Sequence, residues 1–524
     1  MLGGMQDAPL RVTNIIDHAA REHGHREVVS RWADGTTSRS NWAGIHEDAR
    51  KCAQALQKLG VEKGDRVGTL AMNHGHHLAS WYGIAGVGGV LHTINPRLFE
   101  EQLVYIMNHA EDRVLLFDKA FEPLVEKIKP QLKTIQHFVL FDGEGDYPTF
   151  RELCDAEDGD FKWVEGDERD PCGLCYTSGT TGNPKGVLYE HRSNVLHAIT
   201  EGQPDAMNLS TRSVMLPIVP MFHANAWGLP YACAVTGSKM VFSAVNDGEV
   251  LCNLVLNEGV THSAGVPTVW LAMFAHMDAT KVDYGKLEMV VIGGSAAPRA
   301  MIERFMKAGV YVLHAWGMTE TSPIGTIGQR PWNWDELGFD EQVDIISKQG
   351  RTPFGVEIKI VDDDGNDLPR DGESSGRLLV RGPWVLDQYY QDDGGKCVAA
   401  DQWFDTGDLV EIIDGRALFQ GRLNGSINIG GNKVMPEEVE QIIGSHPSVA
   451  AVLVRAKKSS VAGALVEALV QLHPEVPESQ HLEISRQIKV LCRDQLAVFK
   501  APAFVKMVDK LPVSDNGKVM RNAT

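Results

Sequence analysis

Hydrophobic positions along the chain follow two spacings, one helical and one typical of buried strands. The stretch IHEDARKCAQALQKLG, which ends at Gly60, has apolar residues at helical spacing and a terminal glycine suited to a helix C-cap. Short apolar runs follow at 65–73, 110–118 and 137–143, with helical stretches between them. The same order recurs over 286–317. Strands that alternate with helices predict a mainly parallel α/β sheet.

The pattern changes twice in the second half of the chain. Turn-rich segments such as DDDGND and PRDGE, between Gly355 and Tyr390, predict short antiparallel strands. After Gly421, the amphipathic helix MPEEVEQIIGSHP precedes two apolar runs, and its acidic first turn suits the positive end of the helix dipole. We predict domains at 1–423 and 424–524. The fold class is α/β multidomain: a large N-terminal domain of α/β sheets plus a small barrel-like β region, and a small α+β C-terminal domain.

Composition and charge argue against several classes of protein. The chain has 524 residues and a formal charge of −19, and so acidic a surface opposes non-specific binding to nucleic acid or anionic lipid. We expect no secretory signal, because MLGGMQDAPLRVTNIIDHAA has no apolar core between a basic start and a small-residue cleavage site. We expect no membrane span, because the apolar stretch from Gly83 is short and glycine-rich. Eight scattered cysteines suit a reducing compartment. Cys172 and Cys175 form a C-x-x-C, but a buried strand is favoured over a redox role. A cytoplasmic protein is expected.

Residues 176–186, YTSGTTGNPKG, combine glycines, hydroxyl side chains and one lysine. Glycines let backbone N–H groups converge on an anion, hydroxyls donate further hydrogen bonds, and Lys185 supplies a positive charge. The pattern is not a Walker A loop, because Lys185 is followed by Gly186 rather than Ser or Thr. The loop follows a strand-like run, where α/β sheets place ligands. The stretch therefore predicts a phosphate-binding loop rather than a flexible surface turn.

The signature TSGTTGNPKG resembles that of the adenylate-forming (ANL) superfamily, which includes acyl-CoA synthetases, luciferases and peptide-synthetase adenylation domains. Further motifs of the superfamily follow in order over nearly the whole chain: PMFHANAWG (220–228), GVPT (265–268), GGSAAP (293–298), WGMTETS (316–322), WFDTGD (403–408), GRLNGSINIGG (421–431) and LPVSDNGK (511–518). The resemblance implies a reaction in two steps. A carboxylate attacks the α-phosphate of ATP to give an acyl-adenylate and pyrophosphate, and a thiol then displaces AMP.

The resemblance also implies roles for individual residues of a nucleotide site. Glu320 would help to hold Mg²⁺, which prefers hard oxygen ligands, and Thr319 would meet the α-phosphate. Asp408 would accept hydrogen bonds from the ribose hydroxyls, and Arg422 would pair with ribose or phosphate oxygens. The β- and γ-phosphates would be bound by Thr177, Ser178, Gly179, Thr180, Thr181, Gly182 and Lys185. The remaining nucleotide contacts would come from Gly294, Ser295, Ala296, Trp316, Gly317 and Met318, with Trp316 against adenine.

Lys518 resembles the family's adenylation lysine, whose ammonium offsets the charge of the approaching carboxylate and α-phosphate. It lies in the small C-terminal domain, so the resemblance implies that this domain is mobile and swings Lys518 into and out of the site. The hinge would fall at Asn424, followed by Gly425, where the family has other residues; both tolerate unusual φ and ψ. Gly430 and Gly431 would let the pantetheine arm of CoA pass close to the backbone. ATP, Mg²⁺ and CoA are the implied cofactors.

The acyl pocket is expected around the motif PMFHANAWG. His223 would gate the pocket or orient the carboxylate, Trp227 would shorten the pocket, and Gly293, Gly294 and Met318 would complete its wall. None of these is a fixed counter-charge for an amino group, which argues against an amino-acid substrate. The segment RGPWVLDQYY resembles medium-chain fatty-acid–CoA ligases, whose branch includes 3-methylmercaptopropionate–CoA ligases. We therefore expect a short- or medium-chain aliphatic carboxylate, with 3-methylmercaptopropionate as a specific candidate.

Two other functions stay open at this point. One keeps adenylation but transfers the acyl group to a carrier-protein pantetheine or to an amine. The other is a non-catalytic nucleotide-binding protein, which the intact Lys185, Glu320, Asp408 and Lys518 oppose. The expected partners are a small carboxylic acid, ATP and CoA, without nucleic acid, and a homodimer is compatible with the resemblance.

Overall fold

The computed structural model describes residues 3–177, 183–392, 397–398, 401–422, 425–429, 432–459, 463–497 and 499–512. Its strands, numbered along the chain, are β1 (Glu27–Arg31), β2 (Thr37–Asn41), β3 (Arg66–Leu70), β4 (Val90–Thr93), β5 (Asp112–Phe117), β6 (His137–Leu140), β7 (Pro171–Tyr176), β8 (Gly186–Glu190), β9 (Val214–Pro217), β10 (Lys239–Ser243), β11 (His262–Gly265), β12 (Met289–Ile292), β13 (Tyr311–Gly317), β14 (Ile324–Ile327), β15 (Glu357–Val361), β16 (Ser375–Arg381), β17 (Phe404–Ile413), β18 (Arg416–Arg422), β19 (Ile427–Ile429), β20 (Asn432–Val434), β21 (Val449–Ser459), β22 (Gly463–Leu472) and β23 (Phe504–Met507).

The α-helices are numbered in the same way. They are α1 (Val12–His23), α2 (Trp42–Lys58), α3 (Gly75–Gly86), α4 (Glu100–Ala110), α5 (Glu122–Ile128), α6 (Phe150–Asp155), α7 (His191–Glu201), α8 (Leu229–Thr236), α9 (Gly248–Glu258), α10 (Pro267–Thr280), α11 (Arg299–Lys307), α12 (Phe339–Ser347), α13 (Pro436–Gly444) and α14 (His481–Gln495). The predicted helix that ends near Gly60 is α2, whose first turn is capped by the Asn41 side chain accepting from the Gly44 N–H at 2.8 Å.

Two mainly parallel sheets carry the N-terminal part of the chain. One has six strands in the order β6-β5-β3-β4-β7-β8, and only the β7–β8 pair is antiparallel. The other has eight strands in the order β14-β13-β12-β11-β9-β10-β1-β2, with antiparallel pairs at its two edges. The predicted parallel α/β arrangement is confirmed.

One apolar core joins the two sheets. Buried residues from strands of both sheets pack together with helices α1, α2, α3 and α8. Eleven of the twelve residues of α3 are buried, which explains the apolar stretch from Gly83 as the inside of a globular domain. In the described part of the chain, no helix combines the length and the apolar composition needed to cross a membrane.

The turn-rich segment forms the predicted antiparallel strands. β15, β16, β17 and β18 make a four-stranded sheet in that order, and it has its own apolar core, which includes Cys175 of β7. Cys172 packs into the core between the two large sheets instead, so the two cysteines face opposite sides of one strand. All eight cysteines are free thiols, and Cys172 and Cys175 form no disulfide.

The C-terminal part has a separate core. β21 pairs with β22 in antiparallel fashion and β22 with β23 in parallel, while α13 and α14 pack against them. The residues of this core all lie between Ile427 and Met507. α13 begins with Glu437 and Glu438 in its first turn, as predicted. The domain boundary at 423 and 424 falls on residues outside the described ranges and stays a prediction.

Candidate active site

The predicted phosphate loop is held at both ends by a hairpin. β7 and β8 pair as far as Tyr176 and Gly186. Beyond that pair, the Thr177 N–H donates to the Lys185 carbonyl at 2.9 Å, and the Lys185 N–H donates to the Thr177 hydroxyl at 3.3 Å. The hairpin therefore fixes the entry and the exit of the loop. The predicted phosphate contacts outside the described residues are Ser178, Gly179, Thr180, Thr181 and Gly182.

Tyr389 contacts both Lys185, which is predicted to bind phosphate, and Glu320, which is predicted to bind Mg²⁺. The Lys185 ammonium lies 4.8 Å from the centroid of the Tyr389 ring. The Tyr389 hydroxyl donates to Oε1 of Glu320 at 2.8 Å. Glu320 is only 7% exposed, so this bond gives a poorly solvated carboxylate a partner. Burial, together with the Glu320 charge, raises the pKa of Tyr389, which keeps its hydroxyl protonated as a donor.

The turn that carries Thr319 and Glu320 follows β13 and is tied down through its backbone. The Tyr189 hydroxyl, from β8, donates to the Thr319 carbonyl at 2.8 Å. The Leu386 N–H donates to the Glu320 carbonyl at 2.8 Å. Gly317 must be a glycine here, because a Cβ atom would lie 1.8 Å from the Pro323 carbonyl oxygen. The turn therefore takes its position from β8 and from the segment around Leu386.

Asp408 is buried at the pairing of β17 with β18. It is 3% exposed, and its register partner is Arg422. The Trp316 Nε1–H donates to its Oδ2 at 3.0 Å, and the Arg422 Nε–H donates to its Oδ1 at 3.2 Å. Burial raises the pKa of Asp408 to about 6, although Arg422 and Trp316 act in the opposite direction. Three residues predicted for the nucleotide site are thus in direct contact.

The Trp316 ring is covered by residues that sequence reasoning missed. It stacks on Phe419 of β18, with centroids 4.8 Å apart and an interplanar angle of 25°. Gly325 lies close enough that a Cβ atom there would come within 2.1 Å of the ring. No motif includes Phe419 or Gly325, so only the fold reveals these contacts. The adenine-binding role of Trp316 stays a prediction.

The GGSAAP motif follows the C-terminal end of β12. Gly294 has φ +76, and it is exposed together with Ser295 and Ala296, while their nucleotide-binding role stays a prediction. Just after them, the Ala297 N–H donates to Nε2 of the buried His314 at 3.2 Å. This bond anchors the exposed stretch to β13.

The predicted acyl-pocket residues are brought together in part. Trp227 is buried, and its ring lies against Gly293 and Gly294: added Cβ atoms would lie 3.2 Å and 4.0 Å from it, respectively. The half-buried His223 immediately precedes the turn that carries Trp227. Met318 packs instead against the core of the four-stranded sheet. Trp227 and the two glycines therefore form a neutral wall.

A buried histidine–glutamate pair supports this turn, and sequence reasoning did not find it. His197 Nδ1 lies 3.6 Å from Glu201 Oε2, and both side chains are almost fully buried. The His197 Nε2 accepts from the Ile324 N–H at 3.3 Å. Burial lowers the pKa of His197 to about 3 and raises that of Glu201, so both groups are neutral. Gly228 packs directly on the pair, because a Cβ atom there would lie 2.6 Å from Nδ1.

The donor set fits magnesium held largely by substrate. Among the described residues, no group of three or more His, Cys, Asp or Glu side chains could hold a metal ion. Glu320 supplies one buried carboxylate beside Lys185, and Mg²⁺ commonly takes one or two carboxylates plus phosphate oxygens. The predicted catalytic and hinge residues Lys518, Asn424, Gly430 and Gly431 lie outside the described residues.

Two family models match the chain. The model for AMP-binding enzyme matches residues 16–390, and the model for AMP-binding enzyme C-terminal domain matches residues 438–518. The 3-methylmercaptopropionyl-CoA ligase of Ruegeria lacuscaerulensis is 44% identical, covering 99% of this chain and 98% of the relative. The medium-chain-fatty-acid–CoA ligase of Ectopseudomonas oleovorans is 41% identical, covering 100% and 96%.

A solved structure has the same fold over nearly the full length. The crystal structure of the anthranilate CoA ligase AuaEII in complex with anthranoyl-AMP superposes with a TM-score of 0.87, covering 98% of this chain and 97% of that one. At 24% sequence identity, this likeness supports the predicted fold class.

Proposed function

The chain belongs to the AMP-binding enzyme family, and we propose that it activates a short- or medium-chain aliphatic carboxylic acid, with 3-methylmercaptopropionate as the specific candidate. It is an acid–thiol ligase that takes an acid, ATP and CoA as substrates and uses Mg²⁺. The acid's carboxylate oxygen attacks the α-phosphorus of ATP, and pyrophosphate leaves. The CoA thiol then attacks the acyl carbon, loses its proton, and AMP leaves with the electrons of the broken C–O bond.

The phosphate end of the site is assigned to the hairpin loop. Thr177, Lys185 and the loop residues between them bind the β- and γ-phosphates. Glu320 holds Mg²⁺, whose charge offsets that of the phosphates when it is bound, and Thr319 contacts the α-phosphate. The observation that carries this assignment is the meeting of Lys185 and Glu320 at Tyr389, because it sets a cation and a buried carboxylate beside the loop.

The nucleoside end is assigned to Asp408 and its neighbours. An ionised Asp408 accepts from the ribose hydroxyls, and Arg422 pairs with ribose or phosphate oxygens. The adenine lies near Trp316, and the rest of the nucleotide lies along Gly294, Ser295, Ala296, Gly317 and Met318. Direct contacts from Trp316 and Arg422 to the Asp408 carboxylate support one common site.

We assign to the C-terminal domain the switch from adenylation to thioester formation. Lys518 stabilises the charge that develops as the carboxylate meets the α-phosphate. Rotation at Asn424 then withdraws it and brings Gly430 and Gly431 alongside the pantetheine arm. α13 lies against β18, which ends two residues before that hinge, so a change of angle there moves this contact directly.

The neutral wall of the acyl site supports an aliphatic substrate. Trp227, Gly293 and Gly294 offer apolar surface without a charge, and His223 is the only ionisable side chain in the motif 220–228. The names of the relatives, 3-methylmercaptopropionyl-CoA ligase and medium-chain-fatty-acid–CoA ligase, agree with such a surface. A hydrophobic pocket gains only about 1–3 kcal/mol per methylene, so several chain lengths should react.

A panel of acids tests the proposal. Purified enzyme is incubated with ATP, Mg²⁺ and CoA and with each of a series of straight-chain acids, 3-methylmercaptopropionate, benzoate or an amino acid. AMP release and the mass of the thioester are measured. We expect thioesters from the aliphatic acids and little from the amino acid. Replacing CoA by a holo-carrier protein or hydroxylamine separates the alternative acceptors, and AMP release that no acid stimulates would overturn the proposal.

We also propose a cytoplasmic location, supported by eight free thiols, which suit a reducing compartment. A homodimer is the proposed assembly, and light scattering on the purified protein would give its mass directly.

A further inference from the structure

Tyr389 contacts two residues to which the proposed function gives different tasks at the triphosphate, the phosphate lysine Lys185 and the metal ligand Glu320. Its hydroxyl donates to Glu320 Oε1 at 2.8 Å, and its ring faces the Lys185 ammonium at 4.8 Å. Glu320 follows β13 and Lys185 precedes β8, so the two belong to different sheets. Tyr389 therefore connects the predicted metal ligand, Glu320, with the predicted phosphate lysine, Lys185, by contacting both.

The backbone around Tyr389 is bound to the same turn. The Leu386 N–H donates to the Glu320 carbonyl at 2.8 Å, and the Ser322 hydroxyl donates to the Trp384 carbonyl at 2.8 Å. The Trp384 Nε1–H donates to the Ile324 carbonyl at 2.9 Å. These bonds lie only a few residues before Tyr389. They therefore fix the position of its Cα atom relative to Glu320 independently of the contacts of its side chain.

The next residue faces the other way. The Tyr390 ring meets His109 edge-on, with centroids 5.7 Å apart, and the Gln391 side chain donates to the His109 carbonyl at 2.9 Å. Tyr390 also lies against Gly186, where an added Cβ atom would be 3.0 Å from its Cβ. The segment is thus held from both sides. Tyr390 supplies a matched control, since it is a tyrosine in the same segment whose ring contacts His109 instead of Glu320.

The hydrogen bond from the Tyr389 hydroxyl orients the Glu320 carboxylate. The Tyr389 hydroxyl donates to Oε1 of Glu320, and this bond restrains how the carboxylate is turned, while acceptor capacity remains for a cation. A tyrosine hydroxyl carries its proton near neutral pH, so it acts as the donor in this bond. A neutral donor fixes the carboxylate rotamer without adding a charge beside it. Hydrogen-bond partners commonly orient metal-binding carboxylates in this way.

The ring has a second role toward the lysine. An ammonium over an aromatic face is held by the ring quadrupole, an attraction weaker than a charge-assisted bond to phosphate. Lys185 can therefore bind phosphate through its N–H donors while it stays beside the Tyr389 ring. The ring limits the conformations that the long side chain must give up on binding.

We propose that Tyr389 is a positioning residue of the adenylation site, which orients Glu320 for Mg²⁺ through its hydroxyl and holds Lys185 ready for the triphosphate through its ring. This inference rests on the proposed function, because it takes Glu320 and Lys185 as the metal and phosphate residues. Nothing in the motif TSGTTGNPKG or WGMTETS indicates it, since Tyr389 lies outside both.

Binding of a non-hydrolysable ATP analogue by calorimetry, with and without Mg²⁺, tests the hydroxyl. Tyr389→Phe should weaken binding of the Mg²⁺-loaded analogue about tenfold, because a hydrogen bond to a charged group is lost. Binding without Mg²⁺ should change much less. Tyr390→Phe should bind as the wild type does in both conditions. Equal losses with and without Mg²⁺, or no loss in Tyr389→Phe, would overturn the role in orienting Glu320.

A second variant isolates the ring. Tyr389→Leu removes both contacts, so it should lose Mg²⁺-free binding as well, by severalfold relative to Tyr389→Phe. Thermal unfolding of each variant shows whether it folds. If Tyr389→Leu does not fold, Tyr389→Phe alone tests the role of the hydroxyl. If the wild type itself fails to bind the analogue, the proposed function fails; if the wild type binds and Tyr389→Phe binds equally, only this inference fails.

Discussion

Gly228 ends a run of five residues in the left-handed region, and it has no room for a methyl group. Ala224, Asn225, Ala226 and Trp227 have φ between 42° and 57°, and Gly228 has φ +82. Such backbone costs roughly 1–2 kcal/mol for each non-glycine residue, so the surroundings must compensate. Burial of Trp227 and the close fit of Gly228 on His197 and Glu201 provide that compensation. The sequence motif marks this turn but does not indicate its conformation.

Gly228→Ala should lower the free energy of unfolding by about 2–4 kcal/mol, because the methyl group is both strained and blocked by His197. Gly309→Ala is the matched control. Gly309 has φ +79 but open space around its Cβ position, so only the conformational cost of about 1 kcal/mol applies there. Denaturant unfolding of the two variants measures the difference, and equal losses would contradict the packing argument.

Asp408 links stability to nucleotide binding through its proton. Burial raises its pKa to about 6 in the folded protein, against an ordinary value of 3.8. Between these values the folded state binds more protons than the unfolded state, so stability falls as the pH rises through this window. Asp408→Asn stays neutral. Relative to the wild type, its free energy of unfolding should therefore rise by about 1–3 kcal/mol as the pH rises from about 4 to about 6. The difference should stay constant at higher pH.

Binding should respond in the opposite direction. Adenosine, which has no phosphate to titrate, should bind the wild type more tightly as the pH passes about 6, since the ionised carboxylate accepts both ribose hydroxyls. Asp408→Asn should lose this pH dependence. Asp405→Asn, on the same strand and paired with Arg377 at the surface, is the control. Parallel stability curves for Asp408→Asn and the wild type would show that Asp408 titrates elsewhere.

At the scale of elements, local signals were sufficient for the parallel sheets and for the strand that leads into the loop at 176–186. The apolar runs became β3, β5, β6 and β12 because buried parallel strands need continuous apolar residues. The loop between β7 and β8 is marked by its own glycines. Tyr389 and Phe419 could not be found in this way, because each reaches its partner only through tertiary packing of the four-stranded sheet. Periodicity reports which face of an element is buried, but not what covers it.

The contact of β18 with α13 offers a prediction about the domain motion. Gly421 has φ +145, and a methyl group there would lie 2.4 Å from Glu437 Oε2. Gly421→Ala should push α13 away from β18 and change the ratio of the rates of adenylation and thioester formation severalfold. Pyrophosphate exchange measures the first rate, and transfer from a supplied acyl-adenylate to CoA measures the second. Gly415→Ala, in the turn of the same hairpin, should leave the ratio unchanged. An unaltered ratio in Gly421→Ala would exclude this contact from the motion.

At the scale of the whole molecule, the chain is long enough for several apolar cores, one of which lies wholly within the C-terminal part. The hairpin loop and Glu320 follow the C-terminal ends of β7 and β13, Asp408 lies within β17, and the residues of the C-terminal core end at Met507, before Lys518. The division of function between two domains stays a prediction from the motifs. The position of the small domain relative to the large one could not be read from the sequence, because it depends on contacts such as that of α13 with β18.

Lys518→Ala should separate the two half-reactions. Acid-dependent ATP–pyrophosphate exchange should fall about 10²- to 10³-fold, the typical loss when one stabilising donor is removed from a charged transition state. Attack of CoA on a supplied acyl-adenylate should change little, because the proposed function withdraws the lysine before that step. Lys510→Ala, at an exposed position nearby, is the control. Equal losses in both half-reactions would remove Lys518 from its adenylation role.

The most direct measurement is a crystal structure with a non-hydrolysable ATP analogue and Mg²⁺. We expect the β- and γ-phosphates within the loop between Thr177 and Lys185, the metal on Glu320, and the ribose hydroxyls on Asp408. A triphosphate bound away from that loop would contradict the account.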